Sequence, residues 1–353
     1  MAKLHIFNPE HDIALASNLA NFTAPHAGRL LRADLGWIAA IWADAGDFVW
    51  VEDAEHAERT YRRTLRRRKC PVQWIDKKGV HALNIDAIEP WGWDAALCRQ
   101  LTRADVDAAL LPSALDIADI RMLSHRQTAA RQLKELTTWN HEALVGEATL
   151  CETVEAVENL LARHGRLVLK APWSSSGRGI RFVEQDLDNY HHGWLRNLLA
   201  AQGGVMVEPY YDKVKDFAME FSGDGQGGIR NEGLSLFHTE NGAYTGNVIA
   251  TETKKREMIS RYVSTELLDG VQERICATQL LRGYAGPFGV DMMVVTTSSP
   301  SPTTQLHPCV EINLRRTMGH VALALNPGDD DIVKVMRIRY DGKHYQLNIS
   351  KLQ

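Results

Sequence analysis

Cysteine is scarce in this 353-residue chain, and its placement argues against two kinds of site. The five cysteines are odd in number and never form a CxxC pair. A disulfide framework or a structural zinc site is therefore not expected. Long apolar runs are also absent, since no segment reaches the roughly 18 residues of a membrane span. The N-terminal segment runs into a strand without the apolar core of a secretory leader. We therefore expect a cytoplasmic protein with no membrane partner.

An excess of positive charge is lacking as well. The net charge is -4, with 44% hydrophobic and 24% charged residues, which is the composition of an ordinary folded protein. One basic stretch, residues 62–69, is interpreted as the solvated face and last turn of a helix. A wider basic footprint is missing, so we expect no nucleic-acid partner.

Common catalytic and nucleotide-binding signatures are missing too. Neither HExxH nor the GxSxG elbow occurs, which disfavours those hydrolase classes. The GxxxxGK[ST] spacing of a P-loop is absent. Gly223, Gly225 and Gly228 match GxGxxG, but they lie between two predicted strands and open no helix. We interpret them as a hairpin turn.

Alternating strands and helices predict an α/β domain over residues 1–118. Residues 3–8 are predicted to form a strand, followed by a helix from about Ile13. Short apolar segments at 48–51, 72–75 and 109–112 are predicted as further strands.

The remainder, residues 119–353, is predicted to be an α+β domain. Strands are predicted at 167–170, 180–183 and 205–209. The predicted parts of this domain are a small subdomain at about 145–210, a sheet at about 211–330 and a C-terminal hairpin at 331–353. The Asp-Gly turn near the end favours that hairpin.

Three oxygen-bearing side chains mark a candidate metal site. In a strand, alternate residues point to the same face, so Glu311 and Asn313 project together. If the strand of Asp291 pairs with theirs, three hard oxygen ligands converge, which suits Mg²⁺. Arg315 and Arg316 come shortly after Asn313 in the chain, and their guanidinium groups suit a site that binds anions. The alternative is a hairpin with polar residues on its solvent face.

A loop of small residues follows Lys170, at the end of an apolar strand. The residues singled out in this loop are Ser174, Ser175, Ser176, Gly177 and Gly179. Their backbone N–H groups can wrap a phosphate chain, with the lysine ammonium beside it. The alternative is a mobile hairpin loop.

In this order, the features resemble the ATP-grasp superfamily of carboxylate–amine or carboxylate–thiol ligases. The resemblance covers residues 120–330, and the N-terminal domain resembles the pre-ATP-grasp module. It implies an N-terminal α/β domain followed by a two-lobed ATP-grasp fold, with residues 145–210 as the lid. It also implies ATP as a ligand, together with Mg²⁺ or, as the alternative metal, Mn²⁺.

The resemblance implies roles for the nucleotide-binding residues. Lys170 looks like the lid lysine that contacts the α and β phosphates, and the small-residue loop like the one that closes over them. Glu208 occupies the hinge position facing adenine, with Pro209 and the backbone of Tyr210 close by. Asp216 is similar to the acidic residue that binds the ribose hydroxyls.

Further roles follow from the same resemblance. Asp291, Glu311 and Asn313 match the Mg²⁺ ligands, and Arg315 or Arg316 resembles the arginine that holds a carboxylate or acyl phosphate. Lys254 or Lys255 is a candidate second cation near the γ-phosphate.

The start of the helix before the lid departs from the family pattern. We predict this helix over residues 124–136, with Ser124 as its N-cap. The family often has Asp-Lys there, whereas this chain has Ser124-His125-Arg126. Arg126 is a candidate phosphate contact, although arginine and lysine differ in geometry.

The implied activity is ATP-dependent activation of a small-molecule carboxylate through an acyl phosphate, which an amine or similar nucleophile then attacks. The alternatives are a small-molecule kinase and a non-catalytic nucleotide-binding protein. The sequence does not identify the two substrates, and it is compatible with both a monomer and a homodimer. Residues 10–12, 23–28 and 245–247 are candidates for shaping the substrate pocket.

Overall fold

The computed structural model describes residues 2–66, 68–69, 72–77, 79–80, 83–139, 141–174, 179–240, 243–296 and 303–352. The chain forms two compact units. The first comprises Met1–Met122, Thr245–Thr251 and Arg315–Gln353, and the second comprises Leu123–Tyr244 and Glu252–Leu314. The C-terminal segment 331–353, predicted to belong with the second domain, thus lies in the first unit.

The first unit is built on a parallel sheet. Its strands, in the order β3-β2-β1-β4, are β1 (Lys3–Ile6), β2 (Phe48–Trp50), β3 (Gln73–Ile75) and β4 (Ala87–Pro90). The helices that accompany it are α1 (His11–Ser17), α2 (His26–Leu35), α3 (Ala54–Thr64), α4 (Ala95–Arg103) and α5 (Ala114–Leu123).

Side-chain alternation along the parallel strands produces two apolar layers. Leu4 and Ile6 pack with Leu97 and Leu101 of α4. Val49 belongs to a second cluster, which includes Trp37, Tyr61 and Val51. Burial on both sides of the sheet is typical of parallel sheets.

One strand prediction in this unit is wrong. Residues 109–112 do not form a strand, because Ala108–Leu110 make a short 3-10 helix. Asp107 caps it by accepting a hydrogen bond from the N–H of Ala109 at 2.9 Å. The strand Ala87–Pro90, which was not predicted, pairs with β1 instead.

The later strands, in chain order, are β5 (Thr149–Cys151), β6 (Leu167–Lys170), β7 (Ile180–Val183), β8 (Val205–Pro209), β9 (Asp212–Asp224), β10 (Ile229–Ser235), β11 (Phe237–Glu240), β12 (Ala243–Ile249), β13 (Ala285–Thr296), β14 (Thr304–Asn313), β15 (Lys334–Tyr340) and β16 (Tyr345–Lys351). The later helices are α6 (Arg126–Thr137), α7 (Val154–His164), α8 (Asn189–Gln202), α9 (Glu252–Ile259), α10 (Thr265–Cys276) and α11 (Met318–Ala324). In the first unit, residues 247–249 of β12 pair with β15, and β15 pairs with β16. The strand predictions at 167–170, 180–183 and 205–209 are confirmed.

The second unit contains a small antiparallel sheet in the order β5-β8-β6-β7. Its core joins Leu167 and Leu169 of β6 to Val157 of α7 and Leu195 of α8. Thr153 caps α7 by accepting from the N–H of Ala156 at 3.2 Å.

A larger antiparallel sheet in the same unit has the order β10-β9-β13-β14. One of its faces is apolar and almost fully buried, with Phe217, Phe221, Phe288, Val290 and Val294. α6 lies against β14, and α10 against β10. The opposite face is therefore available for polar side chains.

The N-cap predicted for α6 is wrong. The helix begins at Arg126, and it is capped by His125 and not by Ser124, since the His125 side chain accepts from the N–H of Gln127 at 3.0 Å.

Among the described residues, no helix combines the length and the hydropathy needed to cross a membrane.

Candidate functional site

The two strands that carry the predicted metal ligands are neighbours in the larger sheet of the second unit. Asp291 on β13 stands directly opposite Glu311 on β14, and Gly289 stands opposite Asn313. The amide nitrogen of Asn313 donates to Asp291 Oδ2 at 3.2 Å. Ile312, between the two β14 ligands, is buried. The three predicted oxygen-bearing side chains therefore lie together on one face.

These donors fit a magnesium ion that also binds phosphate. Within the described ranges, no group of three or more His, Cys, Asp or Glu side chains is arranged to hold a metal. Asp291 and Glu311 thus offer two carboxylates with one amide beside them, and not a closed cage. Mg²⁺ commonly uses one or two carboxylates and takes its other ligands from water and substrate phosphates.

The register between these two strands is irregular just beyond the carboxylate pair. The next paired residues are Met293 and His307, so three residues of β14 stand opposite one residue of β13. Extra residues of this kind bend a strand and re-aim its side chains, often next to functional sites.

Arg126 joins the metal-ligand strands to the small sheet. Its Nη2 lies 2.6 Å from Glu311 Oε1. Its Nη1 donates to the carbonyl of Ala171 at 2.9 Å and to Ser174 Oγ at 2.8 Å. The side chain is only 7% exposed. One buried guanidinium therefore bonds the carboxylate end of the site and the start of the small-residue loop.

The base of that loop is tightly closed. The N–H of Ala171 donates to the carbonyl of Gly179 at 2.8 Å. A Cβ added to Gly179 would lie 2.5 Å from the side chain of Ser174, so glycine is required there. The predicted loop residues Ser175, Ser176 and Gly177 lie outside the described residues.

Lys170 and Glu208 form a buried ion pair. The ammonium lies 2.6 Å from both carboxylate oxygens, and each side chain is 8% exposed. Because removing two charges from water is expensive, such a pair is weak evidence for stability. A phosphate that contacts Lys170 would have to compete with Glu208 for the same ammonium.

Cys309 shows that the two ends of the site converge. This thiol is buried, and burial together with the negative charges of Asp291 and Glu208 raises its pKa. Lys170 and Glu311 also act electrostatically on it. The ion pair and the two carboxylates predicted to bind a metal therefore lie within electrostatic range of one buried atom. The sequence did not mark Cys309 as a site residue, because an isolated cysteine in a strand resembles an ordinary core residue.

His307 is a second residue that the sequence did not reveal. It is 1% exposed, and neither ring nitrogen has a hydrogen-bond partner among the described residues. Burial, aided by the charge of Lys170, lowers the pKa of this imidazole to about 3. Its ring lies edge-to-face with Tyr211, with centroids 5.6 Å apart. A neutral histidine with unused nitrogens therefore lies near the Lys170 end of the site.

Asp216, the predicted ribose contact, lies on the same sheet face as Asp291. It stands opposite Met293 of β13, two residues from Asp291. Its Oδ2 accepts from Thr239 Oγ1 at 2.8 Å and lies 2.5 Å from Lys213 Nζ. These bonds fix the orientation of the carboxylate.

The predicted hinge residues lie at the end of β8. Glu208 and Pro209 are its last two residues, and the N–H of Tyr210 donates to the carbonyl of Arg166 at 3.0 Å. The Arg166 guanidinium lies 4.4 Å from the centre of the Tyr210 ring. The amide of Tyr210 is therefore already bonded, and its side chain remains partly exposed.

The two candidate second cations differ in burial, since Lys254 is partly exposed and Lys255 is buried. Lys254 donates to Glu257 at 2.7 Å. Lys255 is 3% exposed, donates to the carbonyl of Leu234 at 2.6 Å and pairs with Glu252 at 2.9 Å. Burial lowers the pKa of Lys255. These contacts give Lys255 a place in the core of the second unit.

Arg315 and Arg316 belong to the first unit, and each bonds a carboxylate there. Arg315 grips Asp12 through Nε at 2.7 Å and Nη2 at 2.8 Å. Arg316 Nη2 lies 2.9 Å from Glu89 Oε2, and its guanidinium lies 4.8 Å from the Trp42 ring centre. Both guanidiniums are thus bonded to carboxylates of the protein, and their contact with a substrate carboxylate or acyl phosphate stays a prediction.

Known structures with a similar fold include nucleotide complexes. No protein-family model matches the chain, and no curated protein matches its sequence. A biotin carboxylase–βγ-ATP complex from Campylobacter jejuni has a TM-score of 0.52 and 14% identity, covering 95% of this chain and 75% of that one. The biotin carboxylase domain of Hydrogenobacter thermophilus 2-oxoglutarate carboxylase, crystallised with MgADP, ADP and bicarbonate, has a TM-score of 0.52 and 12% identity, covering 95% and 74%.

A third structure is similar over its whole length. An ATP-grasp superfamily protein from Archaeoglobus fulgidus has a TM-score of 0.50 and 14% identity, with both chains fully covered. At such low identities, the similarities concern the fold.

Proposed function

We propose that this chain, which has the ATP-grasp fold, is an ATP-dependent ligase that activates a small-molecule carboxylate for attack by an amine or similar nucleophile. The observation that carries the proposal is the bonding of Arg126 to both Glu311 and the loop base at Ala171. It joins the predicted phosphate loop to the predicted metal ligands in one site. The MgADP and bicarbonate in the Hydrogenobacter thermophilus structure support the same ligand classes here.

The metal end would be held by protein oxygens. Asp291, Glu311 and Asn313 would hold Mg²⁺, or Mn²⁺ as an alternative, whose charge offsets that of the phosphates. Arg126 bonds one oxygen of Glu311 and so orients this carboxylate. Precise orientation matters, because phosphoryl transfer depends mainly on positioning and charge neutralisation.

The nucleotide would lie over the polar face of the larger sheet. Lys170 would leave Glu208 to contact the phosphates, and Asp216 would accept from the ribose hydroxyls. Glu208, Pro209 and Tyr210 would border the adenine. Closure of the small-residue loop would exclude water, which otherwise hydrolyses an acyl phosphate.

The reaction has two balanced steps. An oxygen of the substrate carboxylate attacks the γ-phosphorus of ATP, the bond to the β–γ bridging oxygen breaks, and ADP and an acyl phosphate form. The nucleophile then attacks the acyl carbon, loses a proton and displaces phosphate. Arg315 or Arg316 would hold the carboxylate bidentately, as Arg315 holds Asp12.

ADP release identifies the reaction. The protein is incubated with MgATP and pooled small metabolites, and ADP and new masses are followed by mass spectrometry. Repeated turnover to ADP, phosphate and a ligated product should require both a carboxylate and a nucleophile. A stable phosphorylated product formed without a second substrate would instead identify a kinase. Tight MgATP binding without turnover across the panel would identify a binding protein.

A further inference from the structure

The first unit contains a cavity of ≈ 540 Å³ beside the loop that follows β1. Arg29 and Arg32, three residues apart on α2, line one side. Arg99 and Arg103, four residues apart on α4, line another. Residues three or four apart share one face of a helix. Two helices therefore each direct a pair of guanidiniums towards the same space.

The lining charges are unequal. Two carboxylates, Glu10 and Glu52, also line the cavity, against four arginines. Arg32 is bonded to Glu10 Oε1 at 2.7 Å. The side chains of Arg99 and Arg103 make no hydrogen bond or ion pair within the part of the chain that is described. The cavity thus keeps an excess of positive charge, and guanidinium groups suit carboxylate and phosphate anions.

Glu10 adds a separate requirement. Its side chain is 9% exposed, and its Oε2 has no hydrogen-bond partner among the described residues. A buried carboxylate oxygen without a donor is costly. Glu10 lines the cavity, so a rotation of its carboxylate would let an N–H or O–H group of a ligand remove that cost.

We propose that this cavity binds a small molecule carrying carboxylate or phosphate groups together with a hydrogen-bond donor. Arg99 and Arg103 hold the anionic group, and Glu10 accepts from the donor. The proposal stands on the first unit alone and requires neither ATP nor turnover. Its failure would therefore leave the proposed ligase activity untouched.

Isothermal titration of the full chain, without nucleotide, tests the proposal with two matched pairs of probes. L-malate and succinate differ by one hydroxyl, and glycerol 3-phosphate and methyl phosphate present the phosphate with and without hydroxyl donors. We expect the donor-bearing member of one pair to bind about tenfold more tightly than its partner. The pair that binds identifies whether carboxylate or phosphate is the anion. Failure of all four probes to bind, or equal affinities within both pairs, would overturn the proposal.

Variants separate the cavity from general surface charge. Arg99→Ala and Arg103→Ala should each lower the affinity for the probe that binds by about tenfold. Both residues are exposed, so the variants should fold. Arg59→Ala, an exposed arginine of α3 that does not line this cavity, serves as the control. Equal weakening by the control would mean that the arginines form only a solvated surface.

Glu10→Gln tests the donor requirement. Because Arg32 donates to one oxygen of Glu10, the glutamine oxygen should stay with Arg32 and its NH₂ group should take the place of Oε2. An NH₂ group cannot accept a hydrogen bond, so the affinity for the donor-bearing probe should fall to about that for its partner. MgATP-dependent stabilisation, measured in the same variant, should be unchanged if the second unit is intact. A preference that survives in Glu10→Gln would contradict the assigned role of Glu10.

Discussion

The guanidinium of Arg126 lies 2.6 Å from the carboxylate of Glu311, although the two residues are 185 positions apart in the chain. Arg126 is the first residue of α6, and Glu311 lies near the end of β14. The same guanidinium bonds Ala171 and Ser174 at the start of the small-residue loop. A single side chain thus connects three separate segments of the second unit.

Arg126→Ala should therefore lower stability and weaken MgATP binding. The carbonyl of Ala171 and one oxygen of Glu311 lose a buried donor, at a cost of about 1–3 kcal/mol. Urea denaturation measures the loss, and the MgATP-induced rise in melting temperature reports binding. Arg131→Ala, an exposed arginine on the same helix, is the control and should change neither. An unchanged melting shift in Arg126→Ala would remove this residue from the nucleotide site.

Local periodicity explains why part of this arrangement was predictable. Glu311 and Asn313 are separated by one apolar residue, so strand alternation alone places them on one face. Their juxtaposition with Asp291 also needed the strand pairing, which the resemblance to ATP-grasp proteins supplied. The fold resemblance is confirmed by the structural neighbours, whereas the roles of these residues remain predictions.

Long-range packing explains what the sequence did not show. Nothing in the sequence near His307 indicates that its two ring nitrogens lack hydrogen-bond partners among the described residues, because that depends on Lys170, Tyr211 and other residues far away in the chain. The strand prediction at 109–112 is wrong because of a local feature and not because of long-range packing. An apolar run there satisfied the strand pattern, but Asp107 caps a short 3-10 helix instead.

Glu311→Gln should remove Mg²⁺-dependent behaviour while leaving the fold intact. The substitution keeps the size of the side chain but removes one of two carboxylates that face each other across β13 and β14. We expect the MgATP-induced melting shift to approach that of ATP with EDTA, and turnover to fall by about a hundredfold or more. Glu232→Gln, on the exposed part of the same sheet, is the matched control. Normal Mg²⁺-dependent turnover in Glu311→Gln would show that the metal assignment is wrong.

The buried imidazole of His307 should make the protein less stable in mild acid. Its pKa in the folded protein is lowered to about 3 by burial, from an ordinary value of 6.5. The unfolded chain therefore binds a proton as the pH falls through 6.5, while the folded chain does not. This linkage removes up to about 1.4 kcal/mol of unfolding free energy per pH unit below about 6.5, and none well above it.

Chemical denaturation of the His307→Gln variant at several pH values between about 7.5 and 4.5 measures this contribution. The variant should lose less stability per pH unit than the parent protein over that window. His26→Gln removes an exposed histidine and should retain the parent slope. Parallel pH profiles for the parent and His307→Gln would mean that another group causes the acid sensitivity.

The pair of Lys170 and Glu208 predicts opposite results for single and double substitutions. Lys170→Met leaves a carboxylate that is only 8% exposed without its cation, which should cost about 3–5 kcal/mol of unfolding free energy. In Lys170→Met/Glu208→Leu no buried charge is left unpaired, so much of that loss should be recovered. Urea denaturation of the two single variants and the double variant gives the coupling between the residues.

Nucleotide binding separates function from stability in the same variants. If Lys170 contacts phosphates, the double variant should regain stability and still show no MgATP-induced melting shift, because the ammonium is missing. Lys134→Met, which removes an exposed ammonium of α6 in the same unit, is the control for the loss of a lysine. It should keep most of the shift. A full shift in Lys170→Met/Glu208→Leu would mean that the buried ion pair only links β6 to β8, and that another cation binds the phosphates.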